Sequence, residues 1–420
     1  MTSKNSLRPL AAAQRDSTGR LRIRIRAKAG SSMFWRTLYG FLCLQVLLSV
    51  SAIHARPLVE EYRQAPDRWP PFQVDEGVEA VELGSPSKPS KQAWQTRETE
   101  RLGRMLFFDP RLSSSGQLAC VSCHDSQLGW GDGKRFSAGH DRQEGTRNAM
   151  SLLNVAYKKQ LFWDGRADGI LDLILRPIES PLEMNADLPT VINRLNSIDG
   201  YRERFQEAFG DDQATPERIT KGIAAFLLTI FSSKSRFDHF VGGDFEALSD
   251  QEIRGLHLFR TKARCMNCHH GPLLTDNQFH HTGLSYYGRR FEDLGRFQAT
   301  NEVEDRGKFR TPSLRDLPFT RPWMHNGLFT DLTGILRMYN HGISFNSSVR
   351  HRPGTPPLSP LIKPLDLSKE EIADLEAFLV SVSRTPRHVF APTLPPITAE
   401  VTTTSERTVN PTSFVEESEE

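Results

Sequence analysis

The chain has 420 residues, a formal net charge of +2, and 25% charged against 38% apolar residues. That is enough apolar material for two or three packed domains, and it argues against wholesale disorder. The balanced charge gives no support to nucleic-acid binding, which needs a strongly basic face.

In chain order, the first predicted element is a leader over residues 1–55. The basic stretch RLRIRIRAK precedes an apolar run from Leu38 to Val50, and small residues follow, with cleavage after Ala52 or Ala55. This is the layout of a secretory signal peptide. The run falls short of the about 20 residues that a membrane span needs. Export to the periplasm with cleavage is therefore expected, and no stable membrane span in the mature chain. Met33 is an alternative start. Cys43 lies inside the apolar run and leaves with it, so the mature chain keeps Cys120, Cys123, Cys265 and Cys268.

Residues 56–97 are rich in Pro, Ser and charge with little periodicity, and read as an extended N-terminal arm. Next comes the phrase RLGRMLFFDPRLSSSGQLACVSCH, matched later by IRGLHLFRTKARCMNCH. Each reads as helix, aromatic Leu-Phe, loop, then C-x-x-C-H. This weak internal repeat predicts two related domains, 98–245 and 246–385. Thr215 followed by Pro216 and Glu217 predicts a helix start. Ile219, Ile223, Phe226, Leu227 and Ile230 then recur at helical spacing. Ser249 with Glu252 and Ser368 with Glu371 are capping-box patterns, the latter followed by the apolar face Ile372, Leu375, Phe378 and Leu379. No sustained alternation of strands is visible. The fold class expected is mainly α: two cytochrome c-like haem domains packed together. Residues 386–420, rich in Pro, Thr and Glu, read as a disordered tail.

All four mature cysteines lie in the two C-x-x-C-H stretches. Zinc sites of four cysteines pair their C-x-x-C units about 15–20 residues apart, whereas Cys120 and Cys265 lie 145 positions apart. Neither zinc nor a thioredoxin-like redox pair requires the histidine that follows each pair. C-x-x-C-H is the c-type haem attachment pattern: two thiols add across the haem vinyl groups, and the histidine sits under the iron. Cys120 and Cys123 with His124 are assigned one covalent haem, and Cys265 and Cys268 with His269 a second. His270 is then a residue beyond the ligand set. A haem closed by two strong ligands moves electrons; one with an open position can bind and split peroxide.

Taken in order, LGRMLFFDPRLS, ACVSCH, GTRNAMSLLNVAY, LFWDGRADGI, PIESPLEM, CMNCH, GKFRTPSLRDL and TRPWMHNG resemble the bacterial dihaem cytochrome c peroxidase family, which includes the MauG-like oxidases. The resemblance spans roughly residues 98–385. It implies that the N-terminal haem reacts with peroxide while the C-terminal haem stores and relays electrons. Trp163 matches the tryptophan between the haems; without the motif it would read as a core residue. Glu183 matches the distal glutamate that moves a proton between the peroxide oxygens; by itself it would read as a solvated loop carboxylate. Pro177 matches the proline lining the same pocket. Where the family usually carries glutamine in a LEEQA phrase, this chain has Leu173 in LDLIL, so one polar group of that pocket is missing.

The resemblance also implies a sixth ligand on the second haem: methionine in the peroxidases, tyrosine in the MauG-like branch. The matching position is Tyr339, with Met338 beside it. One step along a helix turns a side chain by about 100°, so only one of them can serve, and Tyr339 is favoured. Anionic oxygen ligation favours ferric and higher iron states, whereas a thioether raises the potential. His140 matches the histidine that caps the first haem of many resting peroxidases; alternatively it is a loop histidine that never reaches iron. A calcium ion between the haems maps to the Asn148 side chain and the carbonyls of Thr320 and Pro322, an oxygen set that suits a hard cation.

Three functions follow as expectations. The first is an exported peroxidase that reduces hydrogen peroxide with electrons from a small cytochrome c or copper protein. The second is a MauG-like oxidase that turns peroxide-derived high-valent iron on a partner protein. The third, a dihaem cytochrome with electron transfer alone, is disfavoured by Glu183 in its motif.

Overall fold

The computed structural model describes residues 57–343 and 353–397, and before them an antiparallel ladder of β1 (Ala13–Arg15) with β2 (Leu21–Ile23). The ladder belongs to a compact unit, Met1–Arg56; everything below concerns the other unit, which starts at Pro57. The signal-peptide assignment over Met33–Ala55 lies outside the described residues. No helix among the described residues is long and apolar enough to cross a membrane.

The repeated phrases fold into the same unit twice. In the first, α1 (Arg97–Phe108) starts at Thr96, whose side chain accepts from the Thr99 amide while the Thr99 hydroxyl accepts from the Thr96 amide. The helix buries Leu102, Met105, Leu106 and Phe107 on one face, the spacing that an amphipathic helix requires. α2 (Pro216–Leu227) is capped by Thr215 with Pro216 at its first position, as the sequence predicts. The two helices cross at Gly103 and Gly222: a Cβ on Gly103 would stand 1.7 Å from the Gly222 carbonyl oxygen. In the second unit the helices are α3 (Asp250–Arg260), α4 (Leu332–Asn340) and α5 (Lys369–Ser381). α3 and α5 begin with the predicted capping boxes at Ser249–Glu252 and Ser368–Glu371. They cross at Gly255, where a Cβ would stand 1.9 Å from the Asp374 carbonyl oxygen. Gly103 and Gly255 hold the same place in G-x-x-Leu-Phe, so the repeat is the footprint of one helix crossing used twice.

Each crossing has its own core. The first gathers Leu106, Phe107, Trp130, Tyr201 and Phe226; the second gathers Tyr62, Trp69, Phe237, Phe259 and Phe378. Beyond β1 and β2, the described sheet is one short ladder, β3 (Phe279–His280) antiparallel to β4 (Phe309–Arg310).

Three expected boundaries need correction. The change of core falls between Ile230 and Phe237, not at 245/246: Ser235 caps a helix over Arg236–Val241 whose Phe237 and Phe240 face the second core. The arm over residues 56–97 is not merely extended. It carries a helical turn at Leu58–Tyr62 and gives Tyr62, Trp69 and Leu83 to the second core. Arg260, 1% exposed, pins it by pairing with Glu82 and donating to the Tyr62 hydroxyl and the Pro70 carbonyl at 2.8 Å. The expected disordered tail starts too early. Residues 386–397 run back over the first core, where Val389 and Leu394 pack. Arg111 donates to the Pro395 carbonyl at 2.9 Å and Arg104 to that of Phe390 at 2.5 Å. Residues 398–420 lie outside the described part.

Candidate functional site

Both C-x-x-C-H stretches close as a single 3-10 turn, Cys120–Ser122 and Cys265–Asn267. In each, the histidine amide donates to the carbonyl of the first cysteine, His124 to Cys120 at 3.0 Å and His269 to Cys265 at 2.8 Å. In each, Nδ1 of the histidine meets a carbonyl at 3.0 Å, that of Trp130 for His124 and of Leu274 for His269. A carbonyl can only accept, so Nδ1 carries the proton and Nε2 is left with its lone pair. Burial holds both imidazoles below their ordinary pKa and therefore neutral. No disulfide joins the four cysteines. Burial pushes Cys120, Cys265 and Cys268 up to about 12.

Each turn floors a large, mostly apolar cavity. The first, about 1400 Å³, is lined by Cys120, Cys123 and His124 together with Trp163, Leu173, Pro177 and Glu183. Glu183 ends the turn Ser180–Glu183 that follows a helix over Leu175–Glu179. The loop before it lies flat against this turn: a Cβ on Gly139 would stand 1.9 Å from the Leu182 carbonyl oxygen. Burial raises the Glu183 pKa, with Arg166 opposing, and its charge is felt at both Cys120 and Cys123. The second cavity, about 1820 Å³, is lined by Cys265, Cys268 and His269 together with Trp163, Met324 and Tyr339. Tyr339 projects from α4. Burial raises its pKa, and the sulfurs of Cys268 and Cys265 add to the rise. Met338 does not line the cavity; it is 8% exposed and packs with Leu284 and Ile343.

A family model described as di-haem cytochrome c peroxidase matches residues 97–246. The chain is 34% identical over 318 residues to cytochrome-c peroxidase IdrP1 of Pseudomonas sp. (strain SCT), across 69% of this chain and 82% of that one. The chain belongs to the di-haem cytochrome c peroxidase family. It is also 37% identical over 303 residues to the methylamine utilization protein MauG of Methylorubrum extorquens, across 71% of this chain and 82% of that one. Among solved structures, a MauG-like protein associated with microbial copper homeostasis aligns with a TM-score of 0.62 at 29% identity, over 74% of this chain and 96% of its own. Membership makes the chain an oxidoreductase acting on peroxide and implies two c-type haems.

The residues present fit a di-haem protein. Each cavity offers two thiols and one imidazole nitrogen in a mostly apolar lining. A rival reading exists at the second turn alone. There Cys268, Asp276 and His280 bring their ligand atoms within 4.8 Å of one another. Asp276 is already held by His280 at 2.7 Å and by the Gln278 amide at 2.8 Å, and no such cluster occurs at the first turn among the described residues. Asn148, Thr320 and Pro322, expected from the resemblance to hold calcium, all line the second cavity. The Asn148 amide nitrogen donates to the Lys134 carbonyl at 2.8 Å, and Oδ1 accepts no hydrogen bond among the described residues.

His140 is placed differently. Its amide donates to the Glu183 carbonyl at 2.7 Å, yet its ring bonds Ser114 at 3.2 Å and pairs with Asp141, and it does not line the cavity. His270 accepts from the arm at the Val81 amide, 3.4 Å away. Sequence reasoning missed three residues that line the cavities. Met324 faces the second cavity from a left-handed backbone at φ 71°. Lys158 and Arg310 line both cavities. Arg310 stands in GKFRTPSLRDL, already singled out, but its burial was not legible there.

Proposed function

We propose that this chain is an exported dihaem peroxidase built of two cytochrome c-like domains, one around each cavity. It reduces hydrogen peroxide in the first cavity with electrons from a small cytochrome c or copper protein. The observation that carries this reading is that a half-buried carboxylate, Glu183, and a neutral imidazole, His124, share one cavity whose wall, Trp163, is shared with the second.

When bound, the haems supply peroxide ligation and cleavage in the first cavity and electron storage in the second. Cys120 and Cys123 would anchor one, with His124 as a ligand; Cys265 and Cys268 would anchor the other, with His269 and Tyr339 as ligands. Glu183 takes a proton from one peroxide oxygen and returns it to the other, so that water can leave. Its raised pKa suits a group that must both accept and release. Leu173 and Pro177 keep the surroundings of Glu183 apolar. Trp163 is held by donating its indole N–H to the Asn148 carbonyl at 2.9 Å, which fixes an aromatic ring between the cavities. Asn148, Thr320 and Pro322 would supply oxygen ligands to a calcium ion.

A second reading has specific support. Tyr339 rather than Met338 lines the second cavity, and the His140 ring lies off the first. Both features suit a MauG-like enzyme that reacts without prior reduction and oxidises a partner protein. Electron paramagnetic resonance of the fully ferric protein tests this. One high-spin and one low-spin signal mean an open first haem, with His140 no ligand. Two low-spin signals mean a capped first haem and reductive activation. Steady peroxide turnover with a reduced small cytochrome c then separates peroxidase from protein oxidase; no turnover overturns the first reading.

A further inference from the structure

Six residues line both cavities: Asn148, Met150, Ser151, Lys158, Trp163 and Arg310. Two of them are cations, and neither has an anionic partner. Arg310 is 2% exposed. Its Nε donates to the Phe162 carbonyl at 3.3 Å and one Nη lies 3.3 Å from the Met150 sulfur, while the other Nη is buried with no partner. Lys158 makes no side-chain hydrogen bond or ion pair among the described residues, and the part of it left uncovered faces the cavities it lines. Among the described residues no carboxylate offsets the burial of either group. Neighbouring arginines show the contrast: Arg147 pairs with Asp164 and Asp293, and Arg166 with Asp164.

A buried cation without a counter-charge is unstable, so the folded protein must receive an anion there. The anion must be reachable from both cavities. We infer that Lys158 and Arg310, which line both cavities, are a shared counter-charge for the carboxylate side chains of the two haems. This rests on the reading that each cavity holds a haem. Burial lowers Lys158 to about 7 and Arg310 to about 10 in the chain alone, in keeping with groups that await an anion.

One consequence separates this role from simple packing. A cation held near both irons favours the reduced form of each, because the ferric haem carries more positive charge. Removing it must lower both potentials together. The test is spectroelectrochemical titration of haem-loaded wild type, Arg310→Gln, Arg310→Lys and Lys158→Met, after haem content has been counted. We expect Arg310→Gln and Lys158→Met each to shift the ferric:ferrous ratio of both haems about tenfold towards ferric, about 59 mV for a one-electron couple, with Arg310→Lys near wild type. Loss of haem from Arg310→Gln that Arg310→Lys restores also supports the charge role. Unshifted potentials at full haem content, a shift of one haem alone, or a loss that Arg310→Lys does not restore overturn it. A wild type without two haems would instead overturn the underlying reading.

Discussion

The two cavities have the same floor and different facing groups. Each has a 3-10 turn, a histidine whose amide returns to the first cysteine, and an Nδ1 tied to a carbonyl at 3.0 Å. What differs is the titratable group that faces the cysteines: the Glu183 carboxyl, whose charge is felt at Cys120 and Cys123, in the first cavity, and the Tyr339 phenol, raised by Cys268 and Cys265, in the second. A carboxyl of raised pKa keeps its proton to a higher pH than an ordinary glutamate and can both accept and release it; a phenol of raised pKa serves as an oxygen ligand only where a metal takes its proton. In the proposed function, one repeated helix crossing serves a proton-moving site and an electron-holding one that differ in this facing side chain.

The strongest way to break this comparison is Glu183→Gln. It should cut peroxide turnover by about 10²–10⁴-fold with haem content and second-haem spectrum unchanged; stopped-flow mixing with peroxide reads it. Equal loss in the second-haem spectrum would mean that the cavities are not separable. Next, Gly103→Ala and Gly255→Ala probe the shared scaffold. Each puts a Cβ within 2 Å of a carbonyl oxygen across a helix crossing, and each should cost about 1–3 kcal/mol in denaturant unfolding. A large effect at one crossing alone would show that the duplication is only apparent. Tyr339→Met sharpens the contrast further. A thioether should raise the second haem's potential, by about tenfold in its ferrous:ferric ratio, ~59 mV, and leave the first haem's spectrum alone. The mildest test is pH. Burial raises Glu183, and the carboxylate is the form that accepts the peroxide proton. Turnover should therefore fall as pH drops through a midpoint above the ordinary about 4.3 of glutamate, and that limb should vanish in Glu183→Gln.

Local signals carried the helices well. Thr215, Ser249 and Ser368 act within four residues, and each caps the helix it was read to cap. The repeated G-x-x-Leu-Phe phrase was legible because a tight crossing tolerates only glycine. Illegible were the contacts that join distant residues. Glu82 meets Arg260, and Pro395 meets Arg111; a polar, proline-rich segment gives no periodicity from which to read such a partner. Lys158 and Arg310 were missed for a related reason. An unpaired cation reads as surface until its burial is seen.

The crossed arrangement of the two ends has a consequence in time. A chain emerges from its N-terminus onward, so Tyr62 and Trp69 must wait for Phe259 before they find their core. The first core, although synthesised early, stays uncovered until Val389 and Leu394 arrive. Such long-range closures slow folding. Cys120 and Cys123 are thus made long before their half of the molecule is finished, which leaves an interval in which the first turn is open to whatever machinery loads it.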